Sequence, residues 1–407
     1  MPELDIKKKY EIKELELNAL LEITQAINSN LPEESLYKIY NFTLRSNLNI
    51  KKLALFVLDD EWSCKVNFGT KHQFTKAKLL TPFKTVQDIT HLKEFEACEF
   101  TEFDIVIPVT HKTTTLALVF VGGLNNDARY ENEDGIRFIQ ALSNIIIVAI
   151  ENKKLVRKQL EQESFRKELE IASDVQQFLF PETLPNTEFL KVEASYLPHD
   201  MVGGDYYDYI PINKNQFLIC VADVSGKGIP AALMMSNFQA SLRTLLRQTP
   251  NLTDIIEALN YQVLENTKGE KFITFFAAIY DIRLKTMVYV NAGHNPPILW
   301  NRKTGVRLLE DGSTVLGAMH PLPFLNEGFV TDLDEFLLFC YTDGLTETLN
   351  EDGKEFGTEL LMDYFHQDHS FTKELRTIHH DIIVALDEFK GRNGYHDDIT
   401  ILSCRVG

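Results

Sequence analysis

The sequence predicts an α+β protein in which two sheet-bearing domains are joined by a long helical linker. Three observations carry this. Apolar runs of strand length recur in both halves of the chain, and helix-period segments frame the first half and interrupt the second. Residues 144 to about 178 contain no Gly or Pro, the next being Pro181. A chain of 407 residues ordinarily holds two or three domains. With 44% hydrophobic and 25% charged residues it has the make-up of a globular protein able to bury real cores.

Residues 12–150 form the first expected domain. Leu15, Leu17, Leu20, Leu21, Ile23 and Ile27 recur at helical spacing, and a second amphipathic segment carries Leu36, Ile39, Tyr40 and Leu44 beyond Asn30-Leu31-Pro32. Strand-like runs follow at 53–58, 105–109 and 116–121, the last ended by Gly122-Gly123 and Asn125-Asn126-Asp127. A closing helix carries Ile136, Phe138, Ile139, Leu142 and Ile146. With its Leu20-Leu21-Glu22-Ile23 opening helix and its closing helix over 138–155, this stretch resembles a GAF domain. The resemblance implies a sensor that binds an unidentified small ligand or dimerises; no cysteine is placed to carry a chromophore.

Residues 151–184 read as a helical linker. Six acids (Glu151, Glu161, Glu163, Glu168, Glu170, Asp174) balance six bases (Lys153, Lys154, Arg157, Lys158, Arg166, Lys167) between 151 and 178. Phe165, Leu169, Ala172 and Val175 mark an apolar seam in its second half. A balanced charged face with such a seam suits a signalling coiled coil in a homodimer; a surface helix packed on its own chain is the alternative.

The net charge of −18 argues against nucleic acid and anionic membrane as partners, and so against a metal-dependent nuclease. Cys64, Cys98, Cys220, Cys340 and Cys404 are odd in number and show no CxxC spacing, the pattern of reduced thiols with neither zinc site nor disulfide framework. The N-terminal residues lack a signal-peptide core. Apolar stretches such as 145–150 fall far short of the roughly 20 residues a membrane span needs. The expected location is the cytoplasm.

Residues 185–407 alternate strand-like runs (217–222, 272–280, 287–290, 336–341) with helical segments (230–247, 252–265, 373–389). This implies stacked sheets covered by helices. Four short blocks here each place an aspartate where an apolar run meets a tight or acidic turn. They are Gly203-Gly204-Asp205-Tyr206-Tyr207-Asp208, Ala222-Asp223-Val224-Ser225-Gly226-Lys227-Gly228, Tyr341-Thr342-Asp343-Gly344-Leu345-Thr346-Glu347 and Asp397-Asp398-Ile399-Thr400. Alone, each acid reads equally as a turn cap. Brought together, their charges would raise one another's pKa unless a cation compensated, and oxygen-only ligands select hard ions, Mg²⁺ or Mn²⁺.

Those blocks, with Ala292-Gly293-His294-Asn295-Pro296 and the helix Glu168-Leu169-Glu170-Ile171-Ala172-Ser173-Asp174-Val175-Gln176-Gln177, carry a second resemblance. From about 165 to 404 the chain resembles the sporulation stage II E class of bacterial protein serine/threonine phosphatases, within the metal-dependent type 2C superfamily. The resemblance implies two Mn²⁺ or Mg²⁺ ions. It gives Asp205 as the bridging ligand, Asp223 and the Val224 carbonyl to one metal, and Asp343 and Asp397 to the other. It further implies a phosphorylated STAS-type anti-sigma-factor antagonist as substrate. All four acids are retained, which speaks against a catalytically silent scaffold. Asp208 and Asp398 stand as outer or water-binding groups, and His294 as a turn histidine with a general-acid role as the alternative. Lys227 could meet a substrate phosphate, although Gly226-Lys227-Gly228 lacks phosphate-loop spacing.

Overall fold

The computed structural model describes residues 2–71, 74, 83, 86–92, 100–111, 114–124, 133–366 and 372–407. Cys98 and the Asn125-Asn126-Asp127 turn lie outside the described residues. The chain divides into two compact units, Met1–Glu163 and Ser164–Gly407.

The first unit contains α1 (Pro2–Asn28), α2 (Glu33–Ser46), the first part of α3 (Glu133–Gln177) and an antiparallel sheet in the order β2-β1-β5-β4-β3. Its strands are β1 (Lys52–Leu58), β2 (Trp62–Phe68), β3 (Thr90–His91), β4 (Ile105–His111) and β5 (Thr114–Gly122). β1, β4 and β5 are covered on both faces over most of their length, so their buried stretches are apolar without a break. Leu53, Leu55 and Val57 point into an aliphatic layer with Ile23, Leu36, Leu44, Ile139 and Ile146 of the helices. Ala54 and Phe56 point the other way, into a layer of phenylalanines. β2 is half-exposed and interrupted by Ser63, Lys65 and Asn67, so no apolar run announces it. The closing helix and the linker helix expected from the sequence are one 45-residue element, α3. Phe165 and Val175 of its expected seam are solvent-exposed.

The second unit is a sandwich of two sheets. One has the order β13-β10-β9-β8-β7 with β14 also on β10; the other has the order β12-β11-β15-β16-β6. The strands are β6 (Leu190–Leu197), β7 (Tyr206–Pro211), β8 (Gln216–Val224), β9 (Ile273–Asp281), β10 (Thr286–Ala292), β11 (Ile298–Asn301), β12 (Gly305–Leu308), β13 (Gly312–Ser313), β14 (Gly328–Val330), β15 (Phe336–Tyr341) and β16 (Ile399–Val406). Between β8 and β9 lie α4 (Gly228–Gln248) and α5 (Leu252–Thr267). Between β15 and β16 lie α6 (Asp343–Thr346), α7 (Gly357–Phe365) and α8 (Leu375–Lys390). α4 starts two residues before Pro230, the first helical residue expected from the sequence.

Period-two alternation sorts each strand between layers. On β8, Phe217, Ile219 and Val221 face the inter-sheet core, while Leu218, Cys220 and Ala222 pack under α4 and α5. On β15, Leu338 and Cys340 face inward and Leu337, Phe339 and Tyr341 meet α7 and α8. Continuing this parity past the apolar residues places Asp223, Thr342 and Thr400 on the inward faces at one end of the sandwich. There the core changes from hydrocarbon to oxygen. Among the described residues, no helix is long and apolar enough to cross a membrane.

Candidate metal centre

Asp205 immediately precedes β7 and is 1% exposed. Its Oδ2 accepts hydrogen bonds from Thr342 Oγ1 at 2.8 Å and Thr400 Oγ1 at 2.6 Å, and Thr400 N donates to Thr342 Oγ1 at 2.9 Å. Two strands of the opposite sheet therefore fix one oxygen of this carboxylate. Burial raises the Asp205 pKa, and the neighbouring Asp223 raises it further; the threonine hydroxyls act the other way.

Asp223 is the penultimate residue of β8, registered opposite Thr274. Its pKa rises to about 7 through burial and then through repulsion from Asp343, Asp397 and Asp398. Asp343 opens α6, and burial followed by Glu347 and Asp397 lifts it to about 6; the Gly344 amide and Lys227 oppose the rise. Gly344 has no alternative here, since a Cβ on it would lie 2.1 Å from the Asp398 carbonyl. The Asp397 carboxylate is partly exposed, and its Oδ2 lies 2.9 Å from Lys227 Nζ. The four acids thus share one electrostatic field. Among the described residues, no three of the His, Cys, Asp and Glu side chains close into a ready-made cage.

This donor set fits hard divalent cations. It is built of carboxylate oxygens, it is largely buried, and its members destabilise one another's charge, the imbalance that a cation relieves. The Val224 carbonyl, the fifth expected ligand, faces the Asp205 block: a Cβ on Gly204 would lie 2.9 Å from it.

Both carboxylate oxygens of Asp398 are taken by backbone amides. Its Oδ1 accepts from His199 N at 2.7 Å and its Oδ2 from Gly204 N at 2.8 Å, so it braces the loop that presents Asp205. Asp208 is fully buried and receives Arg243 through Nε at 2.8 Å and Nη2 at 3.0 Å, with the Tyr206 hydroxyl as a further donor. It ties β7 to α4. His294 Nδ1 pairs with Thr274 Oγ1 at 2.8 Å, and its backbone N–H donates to Asn291 Oδ1 at 2.7 Å. Burial holds its pKa down at about 4, with the Tyr341 carbonyl pulling the other way. Sequence reasoning passed over Thr342, Thr400, Arg243 and the Gln176 side chain. For the threonines the signal was available: each is a hydroxyl continuing the inward parity of a strand whose other inward residues are apolar or Cys.

The model of the family "Stage II sporulation protein E (SpoIIE)" matches residues 213–407. The phosphoserine phosphatase RsbU of Bacillus subtilis is 30% identical over 248 residues, which cover 60% of this chain and 71% of RsbU. The chain belongs to the SpoIIE family. Like the relatives it matches, it is a phosphoprotein phosphatase. A second phosphoserine phosphatase of B. subtilis, RsbP, is 28% identical over 189 residues, 45% of this chain and 46% of RsbP. The SiaA-PP2C domain of Pseudomonas aeruginosa superimposes with a TM-score of 0.53 at 23% identity, covering 61% of this chain and 99% of that domain. That likeness assigns the type 2C fold to the second unit. Phosphatases of this type depend on metal ions.

Proposed function

We propose that this SpoIIE-family phosphatase hydrolyses phosphoserine or phosphothreonine on a STAS-type regulatory protein within a partner-switching pathway. Two Mn²⁺ or Mg²⁺ ions would be held by Asp205, Asp223, the Val224 carbonyl, Asp343 and Asp397. The observation that carries this reading is the convergence of four family-order aspartate blocks at one end of the sandwich, in a chain similar to a phosphoserine phosphatase.

Bound there, divalent cations supply charge stabilisation for the phosphoryl oxygens and activate water for in-line attack on phosphorus. The chain's own residues prepare that chemistry. Thr342 and Thr400 orient Asp205 through Oδ2 and offset part of the cost of burying its charge. Asp398 and Gly204 fix the backbone that presents it. Lys227, half-exposed beside Asp397, is the cation best placed at the rim to meet a phosphate dianion. His294, buried and with its pKa held down at about 4, pairs with Thr274, the residue registered opposite Asp223.

The first unit acts in this reading as a GAF-like sensor whose state reaches the phosphatase through α3, in a homodimer. The division into domains at 12–150, 151–184 and 185–407 is part of the same proposal. Purified protein is expected to release phosphate from a phosphoserine STAS-type protein only with Mn²⁺ or Mg²⁺. Asp205→Asn and Asp343→Asn are expected to lower turnover by about a thousandfold or more, the several kcal/mol a metal contributes. Undiminished turnover in either variant would sink the assignment of the centre.

A further inference from the structure

Along α3 from Ser164 to Gln177, every described residue but one is exposed or half-buried. The exception is a glutamine, Gln176, at 6% exposure. Its side chain makes a two-point contact with a single residue: Gln176 Nε2 donates to the Gly203 carbonyl at 2.7 Å, and Gly203 N donates to Gln176 Oε1 at 3.2 Å. The side-chain amide thus pairs with Gly203 as a neighbouring strand would.

Gly203 opens the block that presents Asp205, and it has no side chain with which to anchor itself. A Cβ there would lie 2.2 Å from Asp398 Oδ2 and 2.2 Å from the Tyr196 hydroxyl. Successive residues are therefore held from different sides: Gly203 by Gln176, Gly204 by Asp398, and Asp205 by Thr342 and Thr400. The residues that follow the helix are fastened as well. Gln239 Nε2 donates to the Leu179 carbonyl at 3.1 Å, and the Phe180 ring stacks on Tyr207 at 4.9 Å. Gln176 is a fixed strut, and removing its amide leaves a buried N–H and a buried C=O of Gly203 unpaired, two groups that will seek other partners by moving the loop.

We propose that Gln176 is a positioning residue for the phosphatase reaction: by clamping the Gly203 peptide it holds Asp205 where it binds cations tightly. This rests on the reading of Asp205 as a metal ligand. It assigns α3 a defined chemical contact with the centre, two residues from the bridging carboxylate. Were Gln176 merely satisfying a buried peptide, its loss would cost stability and leave the metal affinity alone.

The test uses the full-length protein and four variants: Gln176→Leu, Gln176→Met, the exposed neighbour Gln177→Leu, and Asp205→Asn. Mn²⁺ binding is measured by calorimetry, turnover is followed against Mn²⁺ concentration, and hydrogen exchange is read at residues 203–205. Both Gln176 variants are expected to bind Mn²⁺ about 10- to 100-fold more weakly, the usual effect of losing an outer-shell partner. Excess Mn²⁺ should restore their turnover, the KM for phosphoprotein should stay at the wild-type value, and Gln177→Leu should match wild type throughout. In the wild-type chain, Mn²⁺ should slow exchange at the Gly203 and Gly204 amides together with that of Asp205. Mn²⁺ affinity within twofold of wild type in a folded Gln176 variant overturns the proposal, as does exchange at Gly203 and Gly204 indifferent to Mn²⁺. If Asp205→Asn keeps wild-type Mn²⁺ affinity and turnover, the reading of the centre itself fails. If Asp205→Asn loses both while the Gln176 variants lose neither, the role of Gln176 alone fails.

Discussion

The two units solve the same packing problem with opposite interiors. In the first, the sheet is covered on one face by aliphatic side chains and on the other by Phe56, Phe83, Phe100, Phe103 and Phe120. Among its described residues the buried polar side chains are Glu16, Thr43 and Ser143. In the second, an equally apolar sandwich ends in buried carboxylates, threonines and a histidine, each with named partners. Burying unpaired charge is among the costliest things a fold can do. The second unit gathers its candidate ligand carboxylates at one end, where hydroxyl and amide donors have been assembled. The difference locates chemistry in one unit and shape in the other.

The sharpest way to break that contrast is to damage the shape-based unit. Phe120 is fully buried and stacks on Phe100 at 4.4 Å, with Phe83 edge-on at 5.3 Å and Phe56 at 5.6 Å. Phe120→Ala is expected to destabilise the first unit by about 3–5 kcal/mol, the transfer and cavity cost of a core aromatic. Mn²⁺ binding should remain at its wild-type value. Calorimetric unfolding scans and Mn²⁺ titrations check both halves; a large loss of Mn²⁺ affinity would show that the aromatic layer serves the centre too.

A smaller effect sharpens the other side. Thr400→Val keeps shape and removes one of the two hydroxyls on Asp205 Oδ2. Chemical denaturation is expected to register about 1–3 kcal/mol of lost stability from an under-satisfied buried carboxylate. Thr400→Ser should restore most of it. A Thr400→Val protein as stable as wild type would mean that this oxygen finds another donor at no cost.

Legibility in the sequence follows the same divide. The runs at 217–222, 272–280 and 336–341 were readable because strands covered on both faces are apolar at nearly every position. β6, β11 and β12 were not, because β11 and β12 are only four residues each and β6 is half-exposed along most of its length. The acids of the centre were readable as blocks because each combines a charge with a strand-end turn. Gln176 was not: it stands among exposed and half-buried residues of α3, next to the equally polar Gln177, and nothing local marks one glutamine as buried. The phenylalanine layer was equally silent. Its members come from separate segments, and apolar residues reveal a core without revealing which face of it they form.

The smallest expected effect concerns a buried base outside the metal centre. His379 sits under the second sheet, with Nδ1 paired to Ser195 Oγ at 2.9 Å and Nε2 to Ser403 Oγ at 2.8 Å. The groups around the ring are serine hydroxyls and the Phe339 ring, with no carboxylate among its contacts. Burial pushes its pKa down to about 4. A histidine whose folded pKa lies below its ordinary value of about 6.5 binds its proton more readily in the unfolded chain, so its contribution to stability is intact above pH 6.5 and fades as pH falls toward 4. Between pH 7 and 5.5 this single group should cost the second unit about 1 kcal/mol. Asp223 and Asp343 push the other way in metal-free protein, because carboxyls raised to about 7 and about 6 relax as they protonate over that same window. The two contributions separate by variant and by metal. His379→Gln should remove the acid-side loss while leaving the EDTA-dependent part unchanged, and Mn²⁺ should remove the Asp223 and Asp343 part while leaving that of His379. Denaturation midpoints at pH 7 and 5.5, with and without Mn²⁺, measure both. A His379→Gln protein with the same pH slope as wild type in saturating Mn²⁺ would mean that the ring takes up its proton as readily in the fold as in the unfolded chain, and that the sandwich accommodates charge well beyond its metal-binding end.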